Sequence, residues 1–109
     1  MSEKTSRIRE LNDQFRRTFT GGRVVTTIGV NSLPTDMMVR ALEKVKEFSD
    51  FTDDNDPWGE HDFGSFEHDG QKFFFKLDYY DNNLEFGSED PSDPVQTTRV
   101  LTVMLAEEY

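Results

Sequence analysis

The stretch Asp62-Phe63-Gly64-Ser65-Phe66-Glu67-His68-Asp69-Gly70-Gln71-Lys72-Phe73-Phe74-Phe75-Lys76-Leu77-Asp78-Tyr79-Tyr80-Asp81 decides the fold. Its side chains alternate with a period of two, the signature of a strand with one buried face. Asp69-Gly70 interrupts the alternation with residues that tolerate the positive φ angles of a tight hairpin turn. A two-residue turn sets Phe66 opposite Phe73 and Gly64 opposite Phe75, and brings Glu67 to Lys72 on the other face. Asn82-Asn83 reads as a second hairpin turn that places Tyr79 opposite Phe86 and Asp81 opposite Leu84. On that reading Phe66, Phe73, Phe75, Leu77, Tyr79, Leu84 and Phe86 share one face, which helices must cover.

Three amphipathic segments supply such helices. Ile8, Leu11, Phe15 and Phe19 recur at three- and four-residue steps between Ser6 and Phe19, and Gly21-Gly22 ends that run. Pro34 and Asp36 suit the first turn of a second helix, whose stripe is Met38, Ala41, Leu42, Val45 and Phe48. Asp93-Pro94 reads as an N-cap followed by proline at the first helical position, with Val100, Leu101, Met104 and Leu105 as the buried stripe of a third. Between the first two, Arg23 to Val30 is β-branched and reads as a strand covered on both sides, with Val24, Thr26, Ile28 and Val30 on one face. The expected fold class is α+β: an antiparallel β-meander sheet packed against helices, in the order α-β-α-β-β-β-α, as one domain over residues 1–109.

Charge bounds the function. The chain carries 12 Lys and Arg against 22 Asp and Glu, a net charge of −10. Residues 1–49 hold nine of the basic and six of the acidic residues, leaving residues 50–109 with three and sixteen, so the local nets are +3 and −13. Such a field repels nucleic acid and anionic membranes and steers basic protein surfaces over roughly 8–10 Å. With no Cys, disulfides, thiolate zinc sites and cysteine nucleophiles are excluded. The opening Met1-Ser2-Glu3-Lys4-Thr5-Ser6-Arg7 has no signal-type apolar run and no stretch approaches a membrane span, so a cytoplasmic location is expected. Ten Phe, three Tyr and one Trp argue for a folded core despite the charge.

The segment from Asp50 to Asp62 has no period and is dense in turn-forming residues, so it reads as a long surface loop. Its carboxylates, amide and imidazole are metal-ligand types, but taking Asp54 as the first ligand of a calcium loop leaves Trp58 at the fifth position. Adjacent side chains on an extended segment point apart, which disfavours Glu60, His61 and Asp62 as one catalytic group. Trp58 is either an anchor folded over the core, the commoner use of a large aromatic, or an exposed contact residue. On the sheet face away from the helices, Phe63, Phe74 and Tyr80 among Glu67, Lys72, Lys76, Asp78 and Glu85 form an aromatic patch with a charged rim, a candidate for self-association.

The segments Arg9-Glu10-Leu11-Asn12-Asp13-Gln14-Phe15-Arg16, Thr26-Thr27-Ile28-Gly29-Val30 and Asp56-Pro57-Trp58-Gly59-Glu60-His61-Asp62-Phe63-Gly64, with Lys76-Leu77-Asp78-Tyr79-Tyr80-Asp81 downstream, resemble a family of short acidic alphaproteobacterial and mobile-element proteins of unknown function. Trp58-Gly59-Glu60-His61-Asp62-Phe63-Gly64 is the most specific run. The resemblance implies no activity and transfers no functional residue. It implies a setting in which small acidic proteins counter host restriction or CRISPR systems by binding the effector.

Duplex DNA carries one negative charge per ~1.7 Å of axis, and its binding proteins line their grooves with Lys and Arg. Carboxylates presented on a rigid sheet and its loops can occupy such a groove. The expected function is therefore a non-enzymatic, acidic inhibitor of a nucleic-acid-handling effector, anti-CRISPR or anti-restriction in type and a DNA mimic, with no cofactor and no metal. Its expected partner-binding residues are Asp53, Asp54, Asp56, Trp58, Glu60, Asp62, Asp78, Tyr80, Asp81, Glu85, Glu89 and Asp90. The alternative is a small metal-dependent hydrolase using Glu60, His61 and Asp62.

Overall fold

A computed structural model describes residues 2–109, and in it the hairpin forms in the expected register. Strand β2 (Phe63–His68) pairs antiparallel with β3 (Gln71–Tyr80), with Phe66 opposite Phe73, Gly64 opposite Phe75 and Glu67 opposite Lys72. Asp69 and Gly70 take φ of 50° and 77°, the left-handed pair that a two-residue hairpin requires. Gly64 is needed where it stands, because a Cβ there would run into the Phe75 ring.

The amphipathic helices also form. Helix α1 (Glu3–Thr18) is capped by the Ser2 hydroxyl, which accepts from the Thr5 amide at 3.0 Å, and ends at Phe19 in the left-handed conformation. Helix α3 (Thr35–Glu47) buries Ala41 and Val45, and Pro34 precedes its first turn. Between them the chain departs from the expected long strand. Strand β1 covers only Gly22–Thr26, and Thr27 then caps a one-turn helix α2 (Ile28–Asn31). Val30 is buried all the same, whereas Ile28 points to solvent.

The largest departure lies at the C-terminal end. Thr98–Leu105, expected as a helix, is strand β4, followed by a short 3-10 turn at Ala106–Glu108. Val100, Leu101, Met104 and Leu105 fit a helical stripe, but Arg99, Leu101, Val103 and Leu105 also alternate, and the β-branched content of the segment favours the extended form. Asp93 still caps a turn, accepting from the Val95 amide at 2.9 Å, so Asp93-Pro94 opens a loop turn and not a helix. The expected third meander strand is also absent: Leu84 has a φ of 59°, Tyr80 makes a single bridge to Gly87, and Phe86 faces solvent instead of the core. The residue opposite Tyr79 is Arg99.

The sheet therefore has the order β1-β4-β3-β2 and is mixed: β4 runs antiparallel to β3 and parallel to β1. Phe73, Phe75, Leu77, Leu101, Val103 and Leu105 line one face and pack with Phe15, Val30, Ala41 and Val45 from the helices. On the opposite face Phe63 and Phe74 lie 5.2 Å apart between ring centroids, and Tyr109 stacks edge-on against both. Among the described residues no helix is long and apolar enough to cross a membrane.

Candidate partner-binding surface and the polar network behind it

The long loop between α3 and β2 is held by its own polar side chains. Asn55 accepts from the Thr52 amide at 2.8 Å and donates to the Asp50 carbonyl at 2.8 Å, closing a turn that the Asp56 amide completes on the Thr52 carbonyl. Gly59 and His61 then take positive φ, 71° and 57°, which turns the chain back toward α1. The His61 amide donates to Asp56 Oδ1 at 3.1 Å, its ring lies flat on Phe51 at 3.9 Å, and its Nδ1 meets Asp13 Oδ1 at 2.9 Å. Asp56 is thus buried as a loop-closing acceptor, and its Oδ2 lies 3.6 Å from His61 Nε2.

Glu60 turns elsewhere. Its carboxylate accepts from the Tyr79 hydroxyl at 2.7 Å, and its backbone carbonyl accepts from Asn12 Nδ2 at 3.0 Å. Asn12 also donates to Tyr79 Oη at 2.8 Å and accepts from Arg99 Nε at 2.8 Å, so one fully buried amide joins α1, the loop, β3 and β4. Burial, followed by the hydrogen bond to Glu60, raises the Tyr79 hydroxyl well above the usual phenol range. Glu60 and His61 are therefore engaged by different partners and do not converge on one point. Among the described residues no group of three or more His, Asp or Glu side chains is arranged to hold a metal ion.

One turn beyond Asn12, Arg16 is enclosed under α3. Its Nη1 donates to the carbonyls of Val45 at 2.9 Å, Lys46 at 3.3 Å and Phe48 at 2.7 Å, and its Nη2 to Asp13 Oδ1 at 3.2 Å. The carbonyls that every helix C-terminus leaves unpaired are here satisfied by a guanidinium. Burial lowers the affinity of Arg16 for its proton, and Asp13 works against that. Asn12 and Arg16 extend the Ile8 stripe of α1 in four-residue steps, a signal in the sequence that these polar residues face inward.

The expected partner-binding residues divide by burial. Asp53 and Asp54 are exposed in the first acidic loop, and Glu85 and Glu89 in the second, which runs from Asp81 to Thr97. Asp56 and Glu60 are occupied internally. Asp62 is half-buried, and burial with the nearby charges of Glu60, Asp56 and Asp78 raises its carboxyl above the ordinary range. Asp90 is held low by hydrogen bonds from Ser92, and its Oδ1 lies 3.8 Å from Lys4 Nζ. Asp81 accepts from the Glu85 amide at 3.1 Å. Asp78 lies on the outer sheet face, 3.1 Å from Lys76 Nζ, and Tyr80 shares that face.

The sheet brings the two acidic loops to the N-terminal half of α1. Arg9 donates to the Gly59 carbonyl at 3.4 Å, and Thr5 shares a shallow cleft with Asp53, Asp56 and Trp58, while Lys4 reaches Asp90 of the other loop. Large apolar side chains stand out from both loops: Trp58 is 78% exposed, Phe86 71% and Val95 82%. Trp58 is therefore not an anchor over the core. The expected third meander strand would have placed Phe86 on the covered face, and its absence leaves Phe86 exposed.

The chain belongs to the DUF3768 family of proteins of unknown function, whose model matches residues 26–108. No curated protein and no solved structure matches it. Helix α1 precedes the matched region, yet it supplies Asn12, Asp13 and Arg16 to the network that holds the Trp58–Gly64 run.

Proposed function

We propose that this DUF3768-family chain is a non-enzymatic, protein-binding inhibitor of a nucleic-acid-handling effector, of the anti-CRISPR or anti-restriction type, acting in the cytoplasm. The observation that carries the reading is the pairing of exposed apolar side chains with exposed acids in both loops: Trp58 with Asp53 and Asp54, and Phe86 with Glu85 and Glu89. Solvated charge alone serves solubility, but an aromatic held in water beside it has the composition of an interface centre with a charged rim. Carboxylates steer the encounter with a Lys/Arg-lined groove in place of DNA, and the aromatics supply the desolvated contact. The Glu60–Asp62 segment serves to fix this loop, since the side chains of Glu60 and His61 are spent on Tyr79 and Asp13.

The test is capture from native host lysate across a salt series, with the wild type and a triple variant Asp53→Asn, Asp54→Asn, Trp58→Ala. A basic nucleic-acid-binding enzyme is expected on the wild type at low salt, to be lost from the variant, and to release its nucleic acid when the pure protein is added. Capture unchanged by the triple substitution, or a partner whose nucleic acid is not displaced, refutes the reading.

A further inference from the structure

A second arginine is buried under α1, and it has no counter-ion. Arg99 is 3% exposed, and among the described residues it forms no ion pair with a carboxylate. Its Nε donates to the Asn12 amide oxygen and its Nη2 to the Pro91 carbonyl, both neutral acceptors, and the guanidinium stands 5.3 Å over the Tyr79 ring. Glu60 acts on it only at longer range, with its carboxylate held by the Tyr79 hydroxyl. Taking a charge out of water without a partner is among the least favourable things a fold can do, so such groups are normally paired.

The remaining end of the guanidinium is not sealed in. Nη1 takes no acceptor among the described residues, yet the sole fully enclosed side-chain nitrogen or oxygen without a partner among them is Arg16 Nε. Nη1 is therefore not fully enclosed, and Arg99 lines a cleft of about 190 Å³ between the C-terminal half of α1 and the 88–97 segment. Leu11, Phe15 and Pro94 give that cleft an apolar wall, and Gln14 and Thr97 a polar one.

We propose that this cleft is a binding site for a small organic carboxylate, whose charged group is received by the free end of Arg99 and whose apolar body lies against Leu11, Phe15 and Pro94. The planar guanidinium fork matches a carboxylate, and the volume is below the ~300–1,000 Å³ of sites for drug-sized ligands, so the ligand is an acid of a few carbons. A singly charged carboxylate also suits a chain of net charge −10 better than a phosphate dianion does. The site takes Pro94 and Thr97 from the second acidic loop, but it does not depend on the partner-binding reading.

The test is a titration of the full chain with isobutyrate, benzoate and inorganic phosphate at constant ionic strength, followed by the NMR signal of Arg99 Nε–H and by the melting temperature. A saturable shift of that signal with a carboxylate, accompanied by a rise in melting temperature, is expected. Arg99→Met, read by melting temperature since it has no Nε–H, abolishes the carboxylate-induced rise, and where that variant does not fold, Gln14→Glu on the exposed lip of the cleft is expected to weaken binding roughly tenfold, about 1.4 kcal/mol of affinity. The proposal is overturned by a shift that does not saturate, by a response to phosphate without one to either carboxylate, or by a Gln14→Glu variant that binds like the wild type.

Discussion

Arg16 and Arg99 are both buried at the inward face of α1, and they are held in opposite ways. Arg16 is enclosed with a carboxylate, Asp13, and three carbonyls from the end of α3. Arg99 is nearly as buried but has only an amide oxygen and one carbonyl. The first guanidinium ties α1 to the C-terminus of α3 and, through Asp13, to His61 of the acidic loop. The second has no acceptor for Nη1 among the described residues, and Arg99 lines a cleft. A buried charge with a carboxylate and several carbonyls around it acts as a structural joint, and one without a counter-ion marks a place where a ligand's charge is complementary.

That contrast makes the largest predicted effect Arg16→Met. Removing the guanidinium takes the side-chain donor from the Lys46 and Phe48 carbonyls and leaves Asp13 with His61 alone, and breaking a buried pair from one side typically costs about 3–5 kcal/mol. Denaturant unfolding should show a loss of that size, with proteolysis entering first between α3 and β2. A loss under about 1 kcal/mol, the net worth of an ordinary hydrogen bond, would mean that the carbonyls find water instead, and Arg16 would not be a joint.

Arg99→Met is expected to cost less, about 1 kcal/mol, because two hydrogen bonds to neutral acceptors are lost while the desolvation of an unpaired charge is relieved. The same unfolding measurement compares the two variants directly. If Arg99→Met destabilises as much as Arg16→Met, Arg99 is structural in the same sense and the distinction between the two fails.

The part of this arrangement legible in the sequence is the part governed by local pattern. The Phe66–Phe73 register followed from Asp69-Gly70 and two-residue alternation, and α1 and α3 followed from their stripes, because in each case turn chemistry and periodicity agreed. They disagreed at residues 93–105. There Asp93-Pro94 resembles a helix start, and Val100, Leu101, Met104 and Leu105 fit the helical period while Arg99, Leu101, Val103 and Leu105 fit the two-residue one. The choice was made by distant partners, since β4 lies between β1 and β3 and supplies the centre of the sheet. Asn82-Asn83 reads as a hairpin turn, yet the chain after it makes only the Tyr80–Gly87 bridge, and β4 takes residues 73–80 of β3 on the other side. The acids of the candidate surface were visible as a composition, but which of them are free was not. Asp56 and Glu60 are consumed by His61 and Tyr79, contacts that depend on where α1 lands on the sheet. Asn12 and Arg16 were readable as polar residues on a buried stripe, whereas the cleft beside Arg99 required the strand that the local pattern concealed.

The paired and the unpaired charge recur among the acids, and the smallest predicted effect comes from there. Asp13 has Arg16 and His61 beside it, whereas the charges near Asp62 are Glu60, Asp56 and Asp78, all of its own sign. Burial first, and those neighbours second, raise the Asp62 carboxyl in the folded chain above its unfolded value. The folded state then holds the proton to higher pH than the unfolded state does, so stability declines as pH rises through the interval between the two values and stays lower above it. An asparagine at this position carries no such charge. Asp62→Asn is therefore expected to raise the melting temperature modestly at neutral pH, with the gain shrinking as the pH is lowered toward the ordinary aspartate value near ~4, where Asp62 is also neutral. Asp90 and Glu108, whose carboxyls are held low by hydrogen bonds, lose stability on acidification in both chains, so the difference between variant and wild type isolates Asp62. An Asp62→Asn chain less stable than wild type at neutral pH would show that Asp62 is paired as Asp13 is, and a gain independent of pH would show that the like-signed cluster at the start of β2 carries no strain.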